Sequence, residues 1–109
     1  MIYHPGLASG RWEKLSFSEQ MANTGSEVER ALNWKVKGQP AYFQKAAERA
    51  LELIDLTLGG VKTFSRRREL ARVREALTDY FFGENQFEAT DLSWRKYFSA
   101  FTSAARHHR

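Results

Sequence analysis

Apolar residues recur along this chain with the period of an α-helix and not with that of a β-strand. Four stretches carry hydrophobic side chains three or four residues apart, and short segments containing glycine separate these stretches. No stretch of useful length alternates apolar and polar residues, as a half-buried strand would. The pattern therefore predicts an all-α protein, an antiparallel four-helix bundle that forms a single domain over residues 1–109.

The first helix is predicted over about residues 17–37. Ser16 and Glu19 have the spacing of a capping box, in which each side chain accepts a hydrogen bond from the backbone N–H of the other residue. Gly38 marks the end of the helix. Trp34 falls outside the apolar stripe, and two interpretations are open: its ring covers a neighbouring loop, or it contacts a partner chain.

The second helix is predicted over about residues 40–58, with Pro40 in its first turn and the Gly59-Gly60 pair as its end. Its apolar residues cover nearly half of its circumference, so we expect it to be central and to touch two or three other helices. Leu56 falls on the polar side and is a second candidate for a contact outside the monomer. Three alanines predict a close crossing with a neighbour: Ala46, Ala47 and Ala50.

The third helix is predicted over about residues 66–82, with Ser65 as its N-cap and Gly83 as its end. The fourth is predicted over about residues 91–105, with Thr90 as its N-cap. The connections between all four helices are short, which favours packing of consecutive helices side by side.

An irregular N-terminal arm is predicted over residues 1–15, because this segment contains Pro5, Gly6 and Gly10 and precedes the first helix signal. Tyr3, Leu7 and Trp12 are the side chains expected to attach the arm to the bundle.

Composition narrows the class of protein further. Of the 109 residues, 42% are hydrophobic and 14% aromatic, which provides enough apolar surface for one folded core. The chain has no cysteine, which excludes disulfides and thiolate chemistry. No segment has the long apolar run of a signal peptide or a membrane span, so we expect a soluble cytoplasmic protein with no membrane partner.

The sequence offers little chemistry for an enzyme. His4 lies in the predicted arm, and His107 and His108 lie in the last three residues, so no predicted helix holds a histidine next to a second catalytic group. A metal site in a helical bundle needs inward carboxylates together with histidine. We therefore expect no catalytic residue, no metal and no cofactor.

Basic residues concentrate in one part of the chain. The formal net charge is +4, and residues 61–83 carry six basic and three acidic side chains. Arginine can bind phosphate through two parallel hydrogen bonds while remaining charged, so this cluster is a candidate site for nucleic acid or another anion. The alternatives are a solvated helix face or pairing with the acidic side of the second helix. The candidate residues are Lys62, Arg66, Arg67, Arg68, Arg72 and Arg74.

Between Phe17 and Leu58 the sequence combines a long first helix, a glycine turn and an alanine-rich second helix. In this architecture it resembles small prokaryotic four-helix proteins of the HEPN type, including the non-catalytic helical partners of minimal nucleotidyltransferases and the ribosomal intervening-sequence proteins. HEPN ribonucleases carry an arginine followed a turn or two later by a histidine, whereas here His107 and His108 come directly after Arg106. The resemblance implies binding or assembly, and no residue is carried over as catalytic.

Two functional hypotheses follow from the sequence. The first is a non-enzymatic helical interaction module that forms a homodimer or binds a partner protein through Trp34 and Leu56. The alternative is an RNA- or DNA-binding bundle that uses the arginine cluster of the third helix.

Overall fold

The structure is a computed structural model that describes residues 10–107. Within this range the chain forms a short 3-10 turn at Trp12–Lys14 and four α-helices, and no strand. The prediction of an all-α four-helix bundle is confirmed. The helices are α1 (Phe17–Val36), α2 (Pro40–Gly60), α3 (Phe64–Phe82) and α4 (Asp91–His107).

Neighbouring helices run antiparallel, as contacts between their ends demonstrate. The start of each helix lies beside the end of its neighbour, and α4 returns to the side of α1. Three aromatic pairs mark these junctions: Trp34 with Tyr42 between α1 and α2, Phe43 with Phe82 between α2 and α3, and Phe17 with Phe101 between α1 and α4. As a result, the α2–α3 connection lies at one end of the bundle and the other two helix connections lie at the opposite end.

Most predicted helix ends are confirmed by their hydrogen bonds. Ser16 and Glu19 form both hydrogen bonds of the capping box, at 3.1 and 2.9 Å. Gly38 has a φ of +69°, a left-handed conformation that glycine adopts without the steric cost of a Cβ atom. Thr90 caps α4 by accepting the backbone N–H of Ser93 through Oγ1 at 3.0 Å. These local signals therefore position α1 and the start of α4.

Three predicted ends differ from the structure. Helix α4 continues two residues past its predicted end, to His107. The cap of α3 is Thr63 and not Ser65: Thr63 Oγ1 accepts the backbone N–H of Arg66, and the helix begins at Phe64. Helix α2 continues through the Gly59-Gly60 pair to a cap at Val61, because the glycines tolerate helical geometry in the last turn. The longer helices leave a connection of three residues and bring Phe64 into the first turn of α3.

The core is centred on the α1–α2 pair rather than on α2 alone. Helix α1 packs against α2 and α4, whereas α2 packs against α1, α3 and the 3-10 turn. The three alanines predicted at a close helix crossing, Ala46, Ala47 and Ala50, have no exposed surface. Small side chains at these positions allow helices to approach closely.

The end of the N-terminal arm is held by Trp12, as predicted. This side chain is 2% exposed, and its indole Nε1–H donates a hydrogen bond to Thr57 Oγ1 at 3.0 Å. The side-chain amide of Gln20 donates to the Trp12 carbonyl at 2.9 Å. Tyr3 and Leu7, the other two predicted contacts of the arm, lie outside the described residues.

Replacing Trp12 by Phe is expected to lower the free energy of unfolding by about 1–2 kcal/mol, because a buried hydrogen bond and part of the packed ring are lost. Urea denaturation followed by circular dichroism measures this change. Thr57→Val should have a similar cost, and the double variant should cost less than the sum of the two single variants. Additive costs would contradict an energetic coupling between Trp12 and Thr57.

Candidate anion-binding surface

The start of α3 forms one wall of a cleft at the end of the bundle where α2 meets α3. The cleft has a volume of about 860 Å³ and lies between the 3-10 turn, the start of α1, the end of α2 and the start of α3. Phe17 and Leu56 contribute apolar surface to it. Three predicted site residues line the same cleft: Lys62, Arg66 and Arg67.

The two arginines of the cleft are held by groups that leave their charge uncompensated. The Arg66 guanidinium lies 4.3 Å from the centre of the Phe17 ring, a cation–π contact that orients the side chain. Arg67 Nη2 donates a hydrogen bond to the Val61 carbonyl at 3.1 Å. A guanidinium has five N–H donors, so Arg67 retains donors for a further ligand.

A second group of predicted residues lies on the outer face of α3. Arg68 and Arg72 line a shallow groove of about 450 Å³ together with Phe64, whose side chain is 78% exposed. These three residues are spaced four apart, so they share one side of the helix. Five of the six predicted residues therefore divide into a cleft group and an outer group, which both belong to the first two turns and a half of α3 and its preceding loop.

Arg74 has a different role. Its guanidinium donates two hydrogen bonds to the Asp55 carboxylate, at 2.6 and 3.2 Å, and so links α3 to α2. The hydrogen bond to Asp55 raises the pKa of Arg74 above its ordinary value. This pair is the predicted alternative for the cluster, in which arginine pairs with the acidic side of α2. We therefore leave Arg74 out of the candidate surface.

The remaining five cations have no carboxylate at ion-pair distance within residues 10–107. Glu13 lines the cleft and forms no ion pair with another described residue. Glu69, the acidic residue between positions 62 and 72, accepts a hydrogen bond from the Tyr97 hydroxyl at 2.7 Å. Burial, with a smaller contribution from Glu69, raises the pKa of Tyr97 above its ordinary value. The end of the bundle at α3 is therefore a surface of net positive charge, which attracts anions.

The two predicted interface residues, Trp34 and Leu56, are both half-buried. Trp34 is half-buried against the core and stacks on Tyr42, with ring centroids 4.7 Å apart, so the ring covers the α1–α2 turn. Leu56 was assigned to the polar side of its helix, but it is half-buried and forms part of the cleft wall.

Large apolar side chains are exposed elsewhere, mainly at the end of the bundle opposite the basic surface. The apolar end, as we call it, comprises Val36, Tyr42, Phe82, Phe87 and Leu92, each between 49% and 75% exposed. Hydrophobic periodicity missed this group because its members come from four helix ends and one loop. Only the antiparallel arrangement of the helices brings them to the same end of the molecule.

The described residues show few other chemical features. Within 10–107, no three acidic or histidine side chains are arranged so that they could hold a metal ion. His107 lies in the last turn of α4, next to the Ser103 carbonyl, while His4 and His108 fall outside the described residues. In the same part of the chain, no helix combines the length and the apolar character needed to cross a membrane.

No protein-family model, curated protein or solved structure matches this chain. The resemblance to HEPN-type proteins stays a prediction.

Proposed function

We propose that this protein binds nucleic acid through the basic surface at the start of α3. The observation that carries the proposal is the gathering of five cations on the first half of α3 and its preceding loop, none of which has a carboxylate at ion-pair distance within residues 10–107. They lie on the cleft and on the outer face of α3: Lys62, Arg66, Arg67, Arg68 and Arg72.

The chemistry of these side chains suits a phosphate backbone. Arginine predominates, and its planar guanidinium can bind phosphate oxygens in pairs. Phosphate contacts release counterions from the nucleic acid, so the affinity depends strongly on salt and weakly on base sequence. In this proposal the protein acts by binding and not by catalysis, in the cytoplasm of a prokaryotic cell, and without a cofactor.

Charge reversal at two positions of the outer face tests the proposal. Arg68→Glu combined with Arg72→Glu is expected to weaken binding of fluorescently labelled RNA and DNA oligonucleotides at least tenfold, as measured by fluorescence anisotropy at 50 mM salt. The slope of log K against log salt should become less steep by about 1.4 to 1.8, because two phosphate contacts are lost.

The matched control removes the same charge from other helices. Lys45→Glu combined with Lys96→Glu changes two exposed lysines of α2 and α4 and should leave most of the affinity. Equal weakening by the two double variants would show that only net charge matters. That result, or the absence of binding at 50 mM salt, would refute the proposed site.

The apolar end favours a second candidate function, an interaction module that forms a homodimer. A second copy of the chain suits this surface because both signs of charge lie there beside the exposed apolar side chains. Lys37 follows the end of α1, whereas Glu84 and Glu88 lie in the α3–α4 loop, so a symmetric pair could match lysine with glutamate. Light scattering over a range of concentrations tests it, and a monomer at every concentration would reject it.

A further inference from the structure

The most exposed large apolar side chain among residues 10–107 lies within the basic surface. Phe64 is the first residue of α3, directly after the Thr63 cap, and 78% of its surface is accessible. Its ring takes part in none of the aromatic contacts found within the described residues. An aromatic ring in this position contributes little to the core, yet its faces are open to a planar ligand.

The ring and two guanidinium groups follow one line along the helix. Phe64, Arg68 and Arg72 line the same shallow groove, and each is one helical step of about 6 Å from the next along the axis. Val73, 9% exposed, contributes apolar surface to the groove. Glu69 also lines the groove, and its carboxylate accepts the hydrogen bond from the Tyr97 hydroxyl. The groove therefore offers one stacking surface followed by two phosphate-binding side chains in a row, beside one carboxylate.

This order of groups matches a single strand better than a duplex. In a duplex the faces of the bases are covered by their neighbours, so a protruding ring finds no free face at the helix surface. In a single strand the bases can turn outward and stack on aromatic side chains while arginines hold the backbone. Neighbouring phosphates of one strand then follow the line of the arginines.

On the basis of the proposed function, we propose that the basic surface is a site for single-stranded nucleic acid. One base stacks on the ring of Phe64, and the adjoining phosphates bind to Arg68 and Arg72. The cleft cations Lys62, Arg66 and Arg67 lie across the start of the same helix and extend the path of the strand.

The experiment compares Phe64→Ala and Phe64→Trp in anisotropy titrations with a single-stranded oligonucleotide and the duplex of the same sequence. We expect the single strand to bind more tightly than the duplex. Phe64→Ala should weaken binding of the single strand about tenfold and leave the salt slope unchanged, because stacking involves no phosphate. Phe64→Trp should retain the affinity, because the larger ring also stacks.

Phe82→Ala is the matched control, since Phe82 is an exposed phenylalanine at the other end of the same helix. It should bind like the unaltered protein, and circular dichroism should show equal helix content for all variants. If Phe64→Ala binds like Phe82→Ala, or if the duplex binds more tightly, the stacking site is refuted while arginine-dependent binding still supports the proposed function. If neither oligonucleotide binds, both proposals fail.

Discussion

Replacing Gly25 by valine is expected to lower the free energy of unfolding by about 3 kcal/mol, because the position has no space for a side chain. A Cβ atom at Gly25 would lie 2.7 Å from Phe98 Cβ, which is the first atom of a side chain packed between α1 and α4. Rotation of the Phe98 side chain cannot move this atom, because Cβ is bonded directly to the backbone, and the side chain is itself buried. Helices α1 and α4 would have to separate, and urea denaturation followed by circular dichroism measures the loss.

Two further glycine variants distinguish the clash at position 25 from the general effect of replacing a glycine in a helix. Gly25→Ala should be milder, since alanine gains about 1 kcal/mol of helix propensity against a smaller clash. Gly59→Ala in α2 should raise the free energy of unfolding by about 0.5–1 kcal/mol, because no atom lies within 4 Å of a Cβ atom there. A Gly25→Val protein as stable as the unaltered chain would contradict the close contact of α1 with α4.

The contact at Gly25 illustrates what the sequence alone leaves open. Periodicity and caps are local signals, and they predict every helix end to within about two residues. Gly25 and Phe98 are far apart in the sequence, and nothing near either residue indicates that they meet. The sequence therefore shows that a glycine lies inside a helical pattern, but only the packing of α1 against α4 explains why a glycine is needed there.

The sequence predicts which basic residues form the candidate surface, but it does not predict their ion pairs or the aromatic residue beside them. The arginine run is evident from the sequence, whereas the Arg74–Asp55 pair joins residues of two different helices and required the fold. Phe64 was missed because Ser65 and Thr63 are both suitable N-caps. The choice of Thr63 lengthens α3 by two residues and places the phenylalanine on the same face as Arg68 and Arg72.

The interface residues show the limit of a helical wheel. A wheel assigns each residue to a direction around its own helix, but it does not include neighbouring turns and loops. Trp34 falls outside the stripe of α1 and is covered by Tyr42 across the turn, and Leu56 is half-buried in the cleft beside the 3-10 turn. Whether a residue outside the apolar stripe is exposed therefore depends on the positions of the connecting segments, which a helical wheel does not include.

Replacing Ala50 by leucine is the second change expected to have a large effect, a loss of about 2–3 kcal/mol in the free energy of unfolding. Ala50 is fully buried in α2, in the same core cluster as Ile54 and Leu70. Interiors are close-packed, so three added carbon atoms force side chains out of their preferred rotamers or push helices apart. Urea denaturation should show a lower midpoint with little change in slope.

An alanine-to-leucine change at an exposed position separates the cost of overpacking the core from any general effect of leucine on stability. Ala100 is exposed on α4, and Ala100→Leu should change the free energy of unfolding by less than about 0.5 kcal/mol. Because leucine is nearly as good a helix former as alanine, helix propensity cannot explain a large difference between the two variants. Equal stability of both variants would mean that the alanine side of α2 is not enclosed, and the packing of α1, α2 and α3 described above would then be wrong.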